Sequence, residues 1–520
     1  MHRIKKAIVC LLSLCLMGCA VGKGQGGQNS ENIFTSMETE PDLSYEVPVA
    51  SPNIFVNQLG YITGSTKVAV FCAKEMPESF QVVRQDTGET VFTGSLEDRG
   101  YNDTTKEYNS YGDFTELCEP GTYYIEAPII GRSYSFLIGD DLYDEVFREA
   151  CKQYYYNRCG MTLSREYAGD MAHNACHTGK AFLREDGSVS MDVSGGWHQD
   201  ERGSKSVEPA AKSIAIMLLA YELYGDSFTD DMGIPESGNN IPDLLDEIRY
   251  EVEWLLKMQD PSTGAVYAGV TFYEQGAGRP NAYVEPADLE TSRAFAMVLA
   301  KFSYIYQHYD TAYATECLKA ADRAWKYSLL NEDKNEVPGG WKFAAAAEIY
   351  RASGQQTCHR YITEYLTEYL AEEDCEENMD EIIFLGCVTY ISTKQTVKLT
   401  LCEGIVSLLM SRGEKISEGA RNSVFMTEGN ANQENHQELL LNMLYLTMID
   451  HMISNHEYEN IIENHLHYFM GRNENAICYI DNIGDNNYRS IDENAGIMKQ
   501  FDADSKLIFM LSEIVGNHRE

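Results

Sequence analysis

The chain is short of basic residues and of long apolar runs. Lys and Arg number 41 against 80 Asp and Glu in 520 residues, a formal net charge of −39. So acidic a body repels the phosphates of nucleic acid and the headgroups of anionic lipid, which excludes nucleic acid as a partner. Neutral polymers such as polysaccharides meet no such barrier. The apolar run from Ala7 to Met17 is about eleven residues, well under the roughly 20 that a membrane-spanning helix needs. Strand-like patterning is also missing from everything after Gly139. Of the 14 cysteines, Cys317, Cys387 and Cys402 sit singly in helical patterns, so few disulfides are expected.

What is present begins with an export signal. Arg3, Lys5 and Lys6 precede the apolar run, and the run ends in Leu16-Met17-Gly18-Cys19, which resembles the lipobox of bacterial lipoproteins. That resemblance implies a signal peptide over residues 1–18 and lipidation at Cys19. Residues 19–50, rich in Gly, Ser, Asn and Glu, read as a flexible tether. The expectation is an exported protein, lipid-anchored at the bacterial cell surface and touching the membrane through its N-terminal lipid only.

The body suits two domains. From Asn53 to Ile138 short apolar runs such as Val68-Ala69-Val70-Phe71 and Phe80-Gln81-Val82-Val83 alternate with turns such as Asp86-Thr87-Gly88. This pattern predicts an all-β immunoglobulin-like sandwich over residues 51–138. Beyond it the period becomes helical. Ile241-Pro242-Asp243-Leu244-Leu245 opens one helix, and further helices are expected at Asp141–Arg158, Pro209–Tyr224, Leu289–His308, Ala312–Tyr327 and Phe343–Ser353. Four more are expected at Tyr361–Ala371, Thr396–Met410, Gln437–Ile453 and Asp502–Ile514. About a dozen helices with short connections imply an all-α assembly over residues 139–516, either a closed (α/α)6 barrel or an open helical array.

Several stretches resemble the family 9 glycoside hydrolases, whose bacterial members hydrolyse cellulose and related β-1,4-glucans. These are Ile54-Phe55-Val56-Asn57-Gln58-Leu59-Gly60-Tyr61, Tyr155-Tyr156-Asn157-Arg158-Cys159-Gly160, Asp192-Val193-Ser194-Gly195-Gly196-Trp197-His198 and Phe469-Met470-Gly471-Arg472-Asn473. The resemblance implies the sandwich-plus-(α/α)6-barrel architecture. It also implies that Cys159, Cys176, His177 and His198 are structural zinc ligands, with His173 a near neighbour able to substitute, and it leaves calcium possible. Read without it, the four are two buried thiols and two ordinary histidines.

The chemistry departs from the family. An inverting glycosidase sets a carboxylate base and a carboxylic acid roughly 6.5–9.5 Å apart. The two aspartates of the family's Asp-Ala-Gly-Asp base motif map to Gln199 and Arg202, neither of which takes a proton from water. Asp200 and Glu201 are the nearby carboxylates, either deputies for the base or members of a solvated loop. For the acid, Glu493 is the nearest glutamate, either catalytic or a loop residue, while Arg489 fits the substrate-binding arginine and Trp197 is expected beside the cleft. Two functions remain open. One is a surface lipoprotein that engages β-1,4-glucan with hydrolysis weak or lost; the other is an active inverting endoglucanase with a rewired acid–base pair.

Overall fold

The computed structural model describes residues 53–103, 105–273, 282–333, 339–429, 436–480 and 501–517. Among the described residues nine strands form the N-terminal sandwich, opened by β1 (Ile54–Phe55), β2 (Gly60–Tyr61) and β3 (Val68–Ala73); their order is β1-β3-β6-β5-β4-β7-β9-β2, with β8 (Gly131–Arg132) off the path beside β7. The long strand β5 (Thr90–Asn102) joins the two layers. Its first half pairs with β4 (Ser79–Arg84) and its second with β6 (Glu107–Asp113). Alternation does the sorting: in β7 (Gly121–Ala127), Tyr123, Ile125 and Ala127 point inward beside Phe71, Phe80 and Phe136.

β9 (Phe136–Ile138) closes the sandwich, and among the described residues twelve long helices follow. The outer helices are α1 (Asp144–Tyr156), α3 (Asp243–Lys257), α5 (Thr311–Asn331), α7 (Gln356–Tyr369), α9 (Leu399–Asn422) and α11 (His456–Phe469). The inner ones are α2 (Val207–Leu223), α4 (Leu289–Tyr306), α6 (Gly340–Ser353), α8 (Glu381–Ser392), α10 (His436–Ile453) and α12 (Phe501–Asn517). The inner helices from α2 to α8 pack side by side in turn, as do α10 and α12, and α12 returns to α2. Between α8 and α10 the Phe384 and Tyr445 rings meet at 4.7 Å. The ring is therefore closed, which decides for the (α/α)6 barrel over the open array. Side-chain caps start several helices: Asp288, Asp310 and Asp380 accept backbone N–H groups at the heads of α4, α5 and α8.

Two expectations are corrected. The helical domain does contain strands: β10 (Lys180–Leu183), β11 (Ser190–Asp192), β12 (Lys205–Ser206), β13 (Gly269–Phe272) and β14 (Ala282–Val284) form a small sheet. At two to four residues each, they are too short for alternation to register. The helices α8 and α11 were also not expected. α8 is buried from Ile382 to Tyr390, so it has no polar face and no 3.6-residue period. α11 has buried His465 and His467 within its apolar stripe.

The sandwich and the barrel share a buried joint made from two of the motifs quoted above. Asn57 Nδ2 donates to Tyr143 Oη at 3.0 Å and lies 2.9 Å from His467 Nδ1. Gln58 donates from its backbone to Met470 O and from Nε2 to Ala476 O. Arg472, fully buried, donates to Val68 O at 3.2 Å.

Candidate metal centre and catalytic loop

After α1 the chain turns and pairs with the strand-like segment before the loop. Cys159 N donates to Gly196 O at 2.7 Å and His198 N to Asn157 O at 2.8 Å. Gly196 is required here: its φ is +73°, and a Cβ would come within 2.7 Å of the Trp254 ring. This pairing places Cys159 beside His198, and the turn at Cys176-His177 supplies the other two side chains. The ligating atoms of Cys159, Cys176, His177 and His198 all lie within 4.8 Å of one another. A tetrahedron of zinc–thiolate and zinc–imidazole bonds has edges of roughly 3.3–3.8 Å, so the four fit such an ion with small adjustments.

The local chemistry agrees with that fit. His177 Nδ1 is buried without a hydrogen-bond partner. Burial, then the neighbouring His177 and Lys205, pushes His198 down to about 4, and burial and Lys205 lower His177. Both rings are therefore neutral, as a ligand must be. Burial pushes the Cys159 thiol up to about 11, opposed by the Lys205 amine 3.5 Å away. A bound dication would supply the missing stabilisation of the thiolate. His173 is outside the group: its Nδ1 sits 2.8 Å from Asn174 O, and its ring is 6.5 Å from that of His198. Among the described residues this is the one converging group of three or more His, Cys, Asp or Glu side chains. It offers none of the oxygen donors that calcium takes.

Trp197 is not a substrate platform, which corrects the expectation of a cleft residue. It is fully buried, donates from Nε1 to Glu247 Oε1 at 2.7 Å, and packs against Tyr154. Glu247 is also paired with buried Arg158 at 2.9 Å. The indole therefore serves the wall behind the loop, and its apolar bulk stays in the core with its one N–H satisfied.

Immediately after it, the loop turns outward. Gln199 uses its whole amide on Ser206, donating to Ser206 O at 2.8 Å and accepting from Ser206 N at 2.9 Å. The Asp200 carboxylate accepts from Arg202 N at 2.9 Å and Ser204 N at 2.8 Å, closing the turn from within. Burial would raise its pKa, but the hydrogen bonds from Ser204, Arg202 and Gly203 hold it below the usual value. Glu201 and Arg202 are exposed. Arg489 and Glu493 lie outside the described residues, as does Cys19.

The loop opens onto the N-terminal ends of the inner helices, where the structure gathers side chains that the sequence did not single out. Trp341, at the head of α6, donates from Nε1 to Glu208 Oε1 at 2.8 Å. Glu381 at the head of α8 bridges Lys212 of α2 at 3.4 Å and Lys506 of α12 at 3.0 Å. The available signal was position: each lies in the first two turns of an inner helix. Only the closed ring brings them together.

The comparisons with known proteins agree with this architecture. The description Glycosyl hydrolase family 9 matches residues 143–506, and Cellulase N-terminal ig-like domain matches residues 49–132. The chain is 28% identical to Endoglucanase D of Acetivibrio thermocellus, over 93% of this chain and 77% of that protein. It is 27% identical to a cellodextrinase of Butyrivibrio fibrisolvens, over 84% and 86%. With a xyloglucan-specific endo-beta-1,4-glucanase of Bacteroides ovatus the identity is 25%, over 83% and 80%. A solved metagenome-derived glycoside hydrolase family 9 endoglucanase superposes with a TM-score of 0.78 at 24% identity, covering 89% of this chain and 99% of that one.

Proposed function

The chain belongs to glycosyl hydrolase family 9, and from that premise we propose that it engages β-1,4-glucan at the cell surface with hydrolysis weak or lost. The observation that carries this reading is the loop between Trp197 and α2. Its two base positions are filled by Gln199, whose amide is spent on Ser206, and by the cation Arg202. The one carboxylate tied into the loop, Asp200, caps a turn. A general base must hold a free carboxylate lone pair against the attacking water, and a positioned base contributes about 10²–10⁴-fold.

The Cys159–Cys176–His177–His198 group is assigned to structural zinc, which supplies a cross-link and no chemistry. The chain is exported and held by a lipid on Cys19, with residues 19–50 as its tether. The rival, a rewired hydrolase, is favoured by Glu201, an exposed carboxylate in the same loop.

Binding and cleavage of a soluble β-1,4-glucan by the full-length protein separate these readings. The expected result is binding with negligible release of reducing ends, and a gain of turnover in the Gln199→Asp/Arg202→Asp double variant. Turnover in the unaltered protein that Glu201→Gln or Glu493→Gln abolishes, with binding intact, overturns the proposal in favour of the hydrolase. Neither binding nor turnover rejects glucan as the ligand.

A further inference from the structure

The loop that carries Gln199 and Arg202 precedes the N-terminus of α2; a cavity lies at the other end of the same helix. α2 has 17 residues and is therefore about 25 Å long. The cavity, about 540 Å³, opens among the C-terminal ends of α2, α4 and α8, with Tyr221, Glu222, Tyr304, His308, Tyr309 and Lys394 in its lining. That volume lies in the range of small-molecule sites.

Its construction is specific. The Tyr221 and Tyr309 hydroxyls meet at 2.6 Å, joining two aromatic walls into one surface. Tyr309 is 36% exposed, so its ring is not needed to fill the core. Tyr304 forms a further wall, stiffened by the Arg351 guanidinium 4.4 Å over its ring. Below them Glu222 is clamped by Arg351 at 2.7 Å and Lys301 at 3.6 Å. Those two cations also bind Glu348, itself held by Thr389, so two acids balance two bases. Burial acts against ionisation of Glu222, but Lys301 and Arg351 keep it charged. The result is a fixed, planar acceptor in an electrically balanced pocket, with His308, Lys394 and the opposite charge of Asp226 at the rim.

Flat aromatic walls suit the C–H faces of a pyranose ring, and fixed charged acceptors suit its hydroxyls, through hydrogen bonds stronger than neutral ones. An anionic ligand would have to approach a protein of net charge −39, which disfavours it. We propose that this mouth of the barrel is a second, non-catalytic carbohydrate site that holds one or two neutral pyranose rings, remote from the cleft. The choice of a β-1,4-glucan fragment as its ligand rests on the function proposed above; the neutral-sugar chemistry rests on the pocket alone.

Cellobiose is the probe, titrated into the full-length protein by calorimetry or saturation-transfer NMR. Tyr304→Ala and Tyr309→Ala are each expected to weaken binding about tenfold or more. Tyr309→Phe, which keeps the ring, should weaken it by no more than about threefold. The melting temperature should be unchanged in Tyr309→Ala. Cellobiose binding that ignores both alanine variants, or no saturable cellobiose binding by the folded protein, overturns the site. If cellobiose binds through these tyrosines while the polymer is neither bound nor cut, the cleft reading fails and this site stands. If the polymer is engaged and the tyrosine variants are silent, this site fails and the cleft reading stands.

Discussion

Residues 195–198 and residues 199–202 are neighbours in the chain and opposites in how they are held. In the first segment Trp197 is buried on Glu247, His198 belongs to the Cys/His group, and Cys159 and Asn157 bond to its backbone. Each of these side chains satisfies a group on another element. In the second segment Gln199 and Asp200 bond within the loop itself, and Glu201 and Arg202 face solvent. Removing a partner from the first leaves a buried donor or charge alone, which is costly. Replacing a side chain in the second disturbs one turn. A family scaffold can therefore persist while the carboxylates beside it change, and fold and chemistry become separable within about ten residues.

The largest expected effect falls on the metal group. Stripping metal with a chelator, or Cys176→Ala, is expected to lower stability by about 4 kcal/mol or more, since the thiolate and imidazoles lose the ion that joins them. Metal analysis should give zinc in the purified protein, and calorimetry should show the drop. A zinc-free protein that melts like the unaltered one breaks the comparison at its stronger side. Next comes Arg158→Ala, which leaves Glu247 buried with the Trp197 indole still donating to it. The expected loss is about 3–5 kcal/mol by urea unfolding, and a loss under about 1 kcal/mol would make the segment no more embedded than its neighbour.

The same contrast explains what the sequence disclosed. The sandwich was legible because Tyr123, Ile125 and Ala127 alternate along β7. Five of the outer helices were legible because each shows a polar and an apolar face, and α11 was not, its apolar stripe being interrupted by the buried His465 and His467. The inner helix α8 was not, since it is buried without a break from Ile382 to Tyr390 and so shows no polar face. Within the site, the four converging cysteine and histidine side chains were singled out through resemblance rather than spacing, because Cys159 and His198 come together only after a turn built on Gly196. Trp197 was misplaced because an aromatic beside a glycosidase loop suits stacking as well as it suits a core, and only the Glu247 acceptor decides. The pairing of Trp341 with Glu208, and of Glu381 with Lys212 and Lys506, depends on ring closure between distant helices. No local pattern records that.

In the loop itself the expected effects are smaller. Gln199→Ala removes both bonds to Ser206, and a loss of about 1–2 kcal/mol is expected from urea unfolding. A larger loss than that of Arg158→Ala would invert the ranking of the two segments. Asp200→Asn should cost least, under about 1 kcal/mol, because the amide oxygen still accepts from Ser204 and Arg202. Its pH dependence sharpens the point. The native hydrogen bonds hold the Asp200 pKa below its unfolded value, so the unfolded chain binds the proton more readily in acid. The stabilisation is thus present above roughly pH 4 and fades as the pH falls through the native pKa. The gap in melting temperature between the unaltered protein and Asp200→Asn should be flat near neutrality and close in acid. If Asp200→Asn instead leaves the melting curve alone and cuts glucan turnover more than about tenfold, its carboxylate is part of the chemistry rather than of the turn. The two segments would then differ in burial but not in purpose.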